Sequence, residues 1–151
     1  MNKVNVVIEN KAEFNFQKEF DEILENLGKY FKINKDLIVD VTITDNKKIQ
    51  KLNKQYRGKD YPTDILSFDF GDKTIYDSLP ILPIGELVIS SEKVESQAEE
   101  FNHSVRREYC YLFTHGLVHL MGYDHETEEE REEMNNIVDE IFNPLNITRE
   151  D

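Results

Sequence analysis

Residues 114–125 read THGLVHLMGYDH, and this run contains three of the chain's four histidines. His115 and His119 are four residues apart, so on a helix both imidazoles project from one face, a single turn apart. Gly122 can adopt the left-handed conformation that ends a helix and reverses the chain. Such a turn would bring His125 back toward the other two. The run therefore predicts a helix whose last turns, together with the segment after them, form a three-histidine site.

Three neutral imidazoles are typical ligands of a catalytic zinc site, in which a fourth position stays open for water. We therefore expect His115, His119 and His125 to bind one Zn²⁺ per chain. The spacing matches the metzincin protease pattern H-E-x-x-H-x-x-G-x-x-H, except that Gly116 occupies the position of the glutamate general base. The pattern favours metal-assisted hydrolysis, but not by the metalloprotease route. The fourth histidine, His103, precedes the helix outside this register and is expected at the surface.

Composition indicates one acidic domain. A chain of 151 residues can bury a core without disulfides, so residues 1–151 are interpreted as a single metal-dependent hydrolase domain. The only cysteine, Cys110, lies in an apolar stretch and is expected to be a buried thiol. No apolar run is long enough to span a membrane, and the first residues do not resemble a signal peptide. A cytoplasmic location is expected.

The formal net charge of −13 is unevenly distributed along the chain. Residues 126–140 contain eight acidic side chains and one basic side chain, whereas residues 47–59 contain six basic side chains and no acidic one. A strongly acidic protein repels nucleic acid at long range, and phosphate binding depends on local basic groups. If nucleic acid is the substrate, residues 47–59 must bind it.

The spacing of apolar residues predicts an α/β (α+β) domain, with a small mixed four-stranded sheet packed by about five helices and the metal site on a buried helix. Asp45 is expected to cap the second helix, and Thr127 with Glu130 to form a capping box for the last one. The predicted strands cover residues 4–8, 39–43, 65–70 and 85–90, and the clearest helices cover residues 15–32 and 105–121.

A second informative run, LNKQYRGKDYPTDILSF at residues 52–68, combines a helix end, a glycine stop and a proline before a strand. Arg57 falls in the last helical turn, where it could bind the helix's carbonyls or reach a phosphate. This run, together with GELVIS at residues 85–90 and the motif H-G-x-x-H-x-x-G-Y-D-H at residues 115–125, resembles the YbeY family of bacterial rRNA-maturation endoribonucleases. The similarity extends over most of the chain.

The resemblance implies a zinc-dependent endoribonuclease that cleaves single-stranded RNA, acting at the 3′ end of 16S rRNA and in ribosome quality control. It also implies that His115, His119 and His125 are the metal ligands and that Arg57 is the catalytic residue. The expected partners are rRNA and the small ribosomal subunit or its assembly factors. Neither a membrane nor DNA is expected as a partner.

Two more residues are candidates for the site. Lys59, with Arg57, is a candidate substrate-binding residue, and Asp124 is a candidate to hold the Nδ1–H of a metal-binding histidine. The chain departs from the usual family pattern at Glu86, where aspartate is usual, and at Val118, where leucine is usual. These departures affect the detail of substrate recognition rather than the metal ligands.

Two other functions are compatible with the residues. A metalloprotease fits the histidine spacing but lacks the glutamate at position 116, and it would cleave peptides and not RNA. A non-enzymatic ribosome-assembly factor would hold a structural metal, and a fourth protein ligand would then close the site. For a nuclease, both water and the ribose 2′-hydroxyl remain possible nucleophiles.

Overall fold

The computed structural model describes residues 1–149, in which helices pack against a mixed sheet. Two short 3₁₀ helices lie at Lys73–Tyr76 and Asn143–Leu145. The predicted fold class is confirmed, and so are the four strands and five α-helices. In chain order these are β1 (Lys3–Ile8), α1 (Gln17–Tyr30), β2 (Asp36–Thr44), α2 (Asn46–Arg57), β3 (Ile65–Phe68), β4 (Ile81–Ser90), α3 (Ser91–Glu100), α4 (Val105–Leu120) and α5 (Glu128–Phe142).

The sheet has the strand order β1-β2-β4-β3. Strands β1, β2 and β4 are parallel, and β3 pairs antiparallel to β4 at one edge. Strand β4 begins four residues earlier than the sequence predicts, because Pro83 is accommodated in it. The pairing with β2 shifts register between Ile38 and Val39, opposite Pro83 and Gly85. A proline has no N–H to donate, and a local bulge accommodates it within a strand.

The predicted helix caps are confirmed. The Asp45 side chain accepts a hydrogen bond of 2.9 Å from the Lys48 backbone N–H at the start of α2. At the start of α5, Thr127 and Glu130 form the reciprocal capping box. In residues 1–149, no helix has the length and apolar character that crossing a membrane requires.

Helix α4 lies in the centre of the packing and positions the histidines. It contacts α1, α3, α5, β3 and β4, and the rings of Phe113 and Phe20 stack with their centroids 3.9 Å apart. Cys110 is fully buried, as predicted, and burial raises the pKa of its thiol to about 12. In the second half of α4, one stripe of residues is partly exposed and the rest are buried. The partly exposed stripe contains Tyr111, His115 and His119.

Candidate active site

Helix α4 places His115 and His119 on one face, as the i, i+4 spacing predicts. The helix starts at Ser104, whose Oγ accepts a 3.0 Å hydrogen bond from the Arg107 backbone N–H. Both histidines are half-buried, while the residues between them are buried in the core. The two imidazoles therefore face a single opening in an otherwise apolar environment.

The turn after α4 brings the third histidine to the first two. Gly122 has φ +102°, a conformation that side-chain-bearing residues rarely adopt, and no atom lies within 4 Å of where its Cβ would be. Beyond this turn, the ring centroid of His125 lies 5.6 Å from that of His115 and 6.4 Å from that of His119. The predicted role of Gly122 in reversing the chain agrees with the structure.

The protonation of two of these imidazoles favours metal binding. The Nδ1 of His119 lies 3.0 Å from the backbone carbonyl of Tyr123, which accepts the Nδ1–H and leaves Nε2 free as a ligand. Burial lowers the pKa of His115, and the positive charges of His125 and His119 lower it further, while the charge of Asp64 opposes the change. His115 is therefore neutral at neutral pH, the form that binds metal ions.

A zinc ion fits the donors of this site, with one adjustment. Nitrogen ligands at 2.0–2.1 Å in tetrahedral geometry place the ring centroids roughly 5 Å apart. The distance from His115 to His125 is near this value, whereas the distance from His119 to His125 is about an ångström longer. As placed, residues 1–149 contain no three side chains close enough to form a complete cation site. The side chain of His125 is 52% exposed and is the one free to move inward.

The structure gives a packing reason for the glycine in place of the protease glutamate. A Cβ atom at Gly116 would lie 2.8 Å from Ile65 Cδ1 and 2.9 Å from Leu87 Cδ2. Helix α4 therefore approaches β3 and β4 closely at this residue, and any side chain there would be directed at the sheet. A glutamate cannot occupy this position without displacing the two strand residues.

The histidines line a cleft of about 900 Å³ between α4, β3 and the end of α2. Arg57 and Tyr56 of α2 line the same cleft, so the fold brings Arg57 into one site with His115, His119 and His125. Near the end of α2, the carbonyls of Asn53 and Lys54 accept hydrogen bonds from the backbone N–H groups of Lys59 and Gly58. The glycine turn thus closes this end of the helix through backbone groups.

The other two candidate residues have different positions. Lys59 is exposed, and it is not among the cleft-lining residues in the part of the chain described. Asp124 lines the cleft, and its Oδ1 accepts a 2.8 Å hydrogen bond from the backbone N–H of His125. The same oxygen lies 3.5 Å from His125 Nδ1, so Asp124 is adjacent to that ring.

Several features of the site are not predicted by the sequence patterns. The carbonyl of Tyr123, which holds His119, leaves no sequence signal because every residue has one. Asp64 and Phe68 also line the cleft, at the two ends of β3. Both residues belong to the run at residues 52–68, and this membership is the sequence signal that could have identified them. The expectation that His103 lies at the surface is wrong, since its side chain is only 13% exposed and binds Glu108.

Comparisons with known proteins agree on one family. The family described as Endoribonuclease YbeY matches residues 3–146. An Endoribonuclease YbeY of Mycoplasmopsis synoviae is 55% identical over 99% of this chain and 97% of its own length. One of Mycoplasmopsis pulmonis is 46% identical over 99% of this chain and its full length. A solution structure of a Thermotoga maritima protein, 29% identical, superimposes with a TM-score of 0.60 and covers 95% of this chain and 92% of that protein.

These similarities define the class of protein as hydrolytic endoribonucleases. Within that class, the chain belongs to the YbeY family.

Proposed function

We propose that this protein is a zinc-dependent endoribonuclease that cuts single-stranded RNA during rRNA maturation. The observation that carries the proposal is the cleft that holds three histidines together with Arg57. Such a cleft combines ligands for a metal ion with a cation for the phosphate of the bond to be cut. Membership in the YbeY family supports RNA as the substrate.

Arg57 is suited to hold the phosphate that is cut. The guanidinium is permanently charged, and its planar arrangement of N–H donors matches two oxygens of a phosphate group. The glycine turn closes the end of α2 through backbone N–H groups, and Arg57 lines the cleft, where its guanidinium can reach a ligand. A fixed donor of this kind stabilises the charge that develops on the phosphoryl oxygens during cleavage.

Two aromatic side chains give the cleft a preference for unpaired bases. Tyr56 is 60% exposed next to Arg57, and its ring meets that of Phe68 edge to face with the centroids 5.2 Å apart. Both rings line the cleft. An unpaired base can stack on such a ring, which contributes about 1–3 kcal/mol per base. The bases of a duplex stack on one another and cannot do so.

His115, His119 and His125 would hold the zinc ion, with His119 oriented by the Tyr123 carbonyl. When bound, zinc supplies Lewis acidity toward a phosphate oxygen and toward water. The chain's own groups bind and orient the RNA: Arg57 at the phosphate and Tyr56 at a base. The nucleophile is water or the 2′-hydroxyl of the RNA.

The proposed biological role follows the family. The substrate would be precursor rRNA, with cleavage at the 3′ end of 16S rRNA, and the partners would be the small ribosomal subunit or its assembly factors. A contribution to ribosome quality control and a cytoplasmic location belong to the same proposal. The close packing around Gly116 is an argument against the metalloprotease alternative, because it leaves no room for that enzyme's base.

The test compares cleavage of a labelled single-stranded RNA with cleavage of the same sequence in a duplex. The protein is assayed after chelation, after zinc is returned, and as the His119→Ala variant. Cleavage of the single strand that is lost on chelation, regained with zinc and absent from the variant is expected. Equal cleavage of the duplex, or full activity without metal, would contradict the proposal.

A further inference from the structure

A buried carboxylate that the mechanism above does not use lies on the histidine face of α4. Glu108 is 6% exposed and stands seven residues before His115, which places both on the same side of the helix. Burying a carboxylate is costly unless it is paired and hydrogen-bonded. The partners of Glu108 therefore indicate what it does.

Both oxygens of Glu108 are bound. Oε1 lies 2.5 Å from Nε2 of His103, in the turn between α3 and α4. Oε2 accepts a 2.8 Å hydrogen bond from Nε2 of Gln97, on α3. The same amide nitrogen lies 3.4 Å from Oδ2 of Asp64. A primary amide has two N–H donors, so Gln97 can bind one carboxylate with each.

The chain of hydrogen bonds ends in the cleft. Asp64 lines the cleft, and its Oδ1 accepts a 2.7 Å hydrogen bond from the backbone N–H of Ile65. Ile65 follows Asp64, and its Cδ1 lies 2.8 Å from the Cβ position of Gly116, the residue after His115, so Asp64 and His115 line the cleft where β3 meets α4. Asp64 thus places a carboxylate on the part of the cleft wall that His115 also lines.

We propose that Glu108 and Gln97 are positioning residues for the nuclease site, which hold the Asp64 carboxylate in place beside His115. His103 anchors the far end of this chain, which we call the polar chain (His103, Glu108, Gln97 and Asp64). The carboxylate acts on His115 through its charge and makes the ring a better ligand for a cation. Carboxylates near metal-binding histidines commonly have this effect, and their loss lowers metal affinity about 10–100-fold.

This inference rests on the proposed function, since it assumes that the histidines bind zinc. It goes further in assigning a role to residues two turns away from the site. Glu108 and Gln97 do not line the cleft and act only through Asp64. A merely structural role for the polar chain would change stability and leave zinc affinity unchanged.

The experiment measures zinc affinity by competition with a chromophoric chelator, with the thermal midpoint and RNA cleavage recorded in parallel. Glu108→Ala is expected to weaken zinc binding by about 10–100-fold and to lower kcat more than it raises KM. Asp64→Asn should give the same loss of affinity. Glu108→Gln, which keeps one oxygen as an acceptor for Gln97 and replaces the other oxygen with an NH₂ donor, should recover part of it.

The matched control is Tyr109→Phe. Tyr109 is a buried neighbour of Glu108 on α4, and its hydroxyl donates a 2.9 Å hydrogen bond to the Glu13 carbonyl, away from the cleft. The variant loses one buried hydrogen bond of the same helix and should bind zinc like the parent protein. If Glu108→Ala lowers the thermal midpoint but matches Tyr109→Phe in zinc affinity, the polar chain is only structural and the proposal is wrong.

A double variant tests whether Glu108 acts through Asp64. In the Asp64→Asn background, Glu108→Ala should cause little further loss of affinity, because the carboxylate it positions is gone. If the two variants lower zinc affinity by fully additive amounts, Glu108 does not act through Asp64, which would contradict the proposal. If instead the zinc affinities follow the expected order but the parent protein cuts no RNA, the polar chain stands and the nuclease proposal fails.

Discussion

A few local interactions set the protonation state or the tautomer of the histidines in the cleft. Burial keeps His115 neutral, and a backbone carbonyl fixes which nitrogen of His119 carries the proton. A neutral imidazole does not have to lose a proton before it binds a cation, so zinc binding at His115 should persist to lower pH than at an exposed histidine. The third histidine is adjacent to Asp124, whose carboxylate binds its backbone N–H.

The guanidinium of Arg57 should not be replaceable by an ammonium group. Arg57→Lys keeps the charge but loses the planar pair of donors, so we expect it to lose much of the RNA-cleaving rate. Arg57→Ala should lose about 10²–10³-fold, the usual effect of removing one charge-stabilising donor. Zinc content and thermal midpoint should stay unchanged in both variants.

The control for this experiment is Lys18→Ala, which removes an exposed positive charge from α1 and should cleave RNA at the parent rate. Arg57→Ala with the same activity as Lys18→Ala would exclude Arg57 from catalysis.

Gly116 should tolerate alanine but not glutamate. An alanine Cβ meets only the flexible ends of Ile65 and Leu87, and its higher helix propensity, about 1 kcal/mol over glycine, offsets the crowding. Gly116→Ala should therefore change the free energy of unfolding by about 1 kcal/mol or less. Gly116→Glu forces a carboxylate into the same contact and should lower stability by several kcal/mol, as about 1–3 kcal/mol of overpacking adds to the cost of burying the charge.

Urea unfolding measures both changes, and a peptide-cleavage assay shows whether the glutamate creates protease activity, which we do not expect. A stable Gly116→Glu protein that cuts peptides would show that the contact with the sheet yields easily and that the site is close to a protease.

At the level of elements, periodicity and capping residues were sufficient to predict the helices and strands. Helix α4 begins where the sequence predicts and ends one residue earlier, because the histidine run carries its own stop at Gly122. Strand β4 was predicted too short, because Pro83 usually marks a loop and the bulge that accommodates it depends on pairing with β2. His103 was misplaced since its partner, Glu108, lies across a turn that no periodic pattern reveals.

The turn at Gly122 should be required for the metal site more than for the fold. Gly122→Ala puts a side chain on a residue with φ +102° that meets no neighbouring atom, so its cost is backbone strain alone, on the order of 1–3 kcal/mol. Relaxation of the turn would move His125 away from His119, and zinc affinity should fall. The measurements are thermal midpoint and chelator competition.

Gly71→Ala provides the matched control. Gly71 has φ +85°, its Cβ position is also open, and it lies in the segment between β3 and β4. It should lose similar stability and keep its zinc affinity. Equal zinc affinity in the two variants would show that the turn does not place His125.

For the molecule as a whole, the sequence predicted the class and the mixed sheet but not the strand order. The order β1-β2-β4-β3 places the antiparallel strand β3 at the edge beside β4, where its ends line the cleft. Such pairing depends on contacts between distant segments, which local patterns do not encode. The meeting of Arg57 with the histidines is a product of this order. The turn residues Gly58 and Pro62 made it possible, and the resemblance to a family made it expected.

The charge distribution should make RNA binding depend on salt despite the net charge of −13. Lys47, Lys51 and Lys54 recur at i, i+4 and i+7 on the exposed side of α2, which ends at the cleft. If each contacts one phosphate, replacing all three with glutamine should reduce the slope of log affinity against log salt by about 2, at roughly 0.7 per contact for single strands. Fluorescence anisotropy with a single-stranded RNA measures the slope.

The control replaces three exposed acids of α5, Glu128, Glu129 and Glu132, with glutamine. These residues should make no phosphate contact, so the affinity should rise at every salt concentration through weaker repulsion while the slope changes little. An unchanged slope in the lysine variant would mean that RNA does not bind along α2.

If His115, His119 and His125 hold zinc as proposed, the position of His125 outside α4 would set how fast the ion binds and leaves. His115 and His119 lie on a packed helix, whereas His125 belongs to an exposed turn. An incoming ion would meet His115 and His119 first, and His125 would complete its binding. Release would follow the reverse order, so the lifetime of the bound ion would depend on how often this turn opens. The same geometry would let the folded protein take up zinc without any opening of its core.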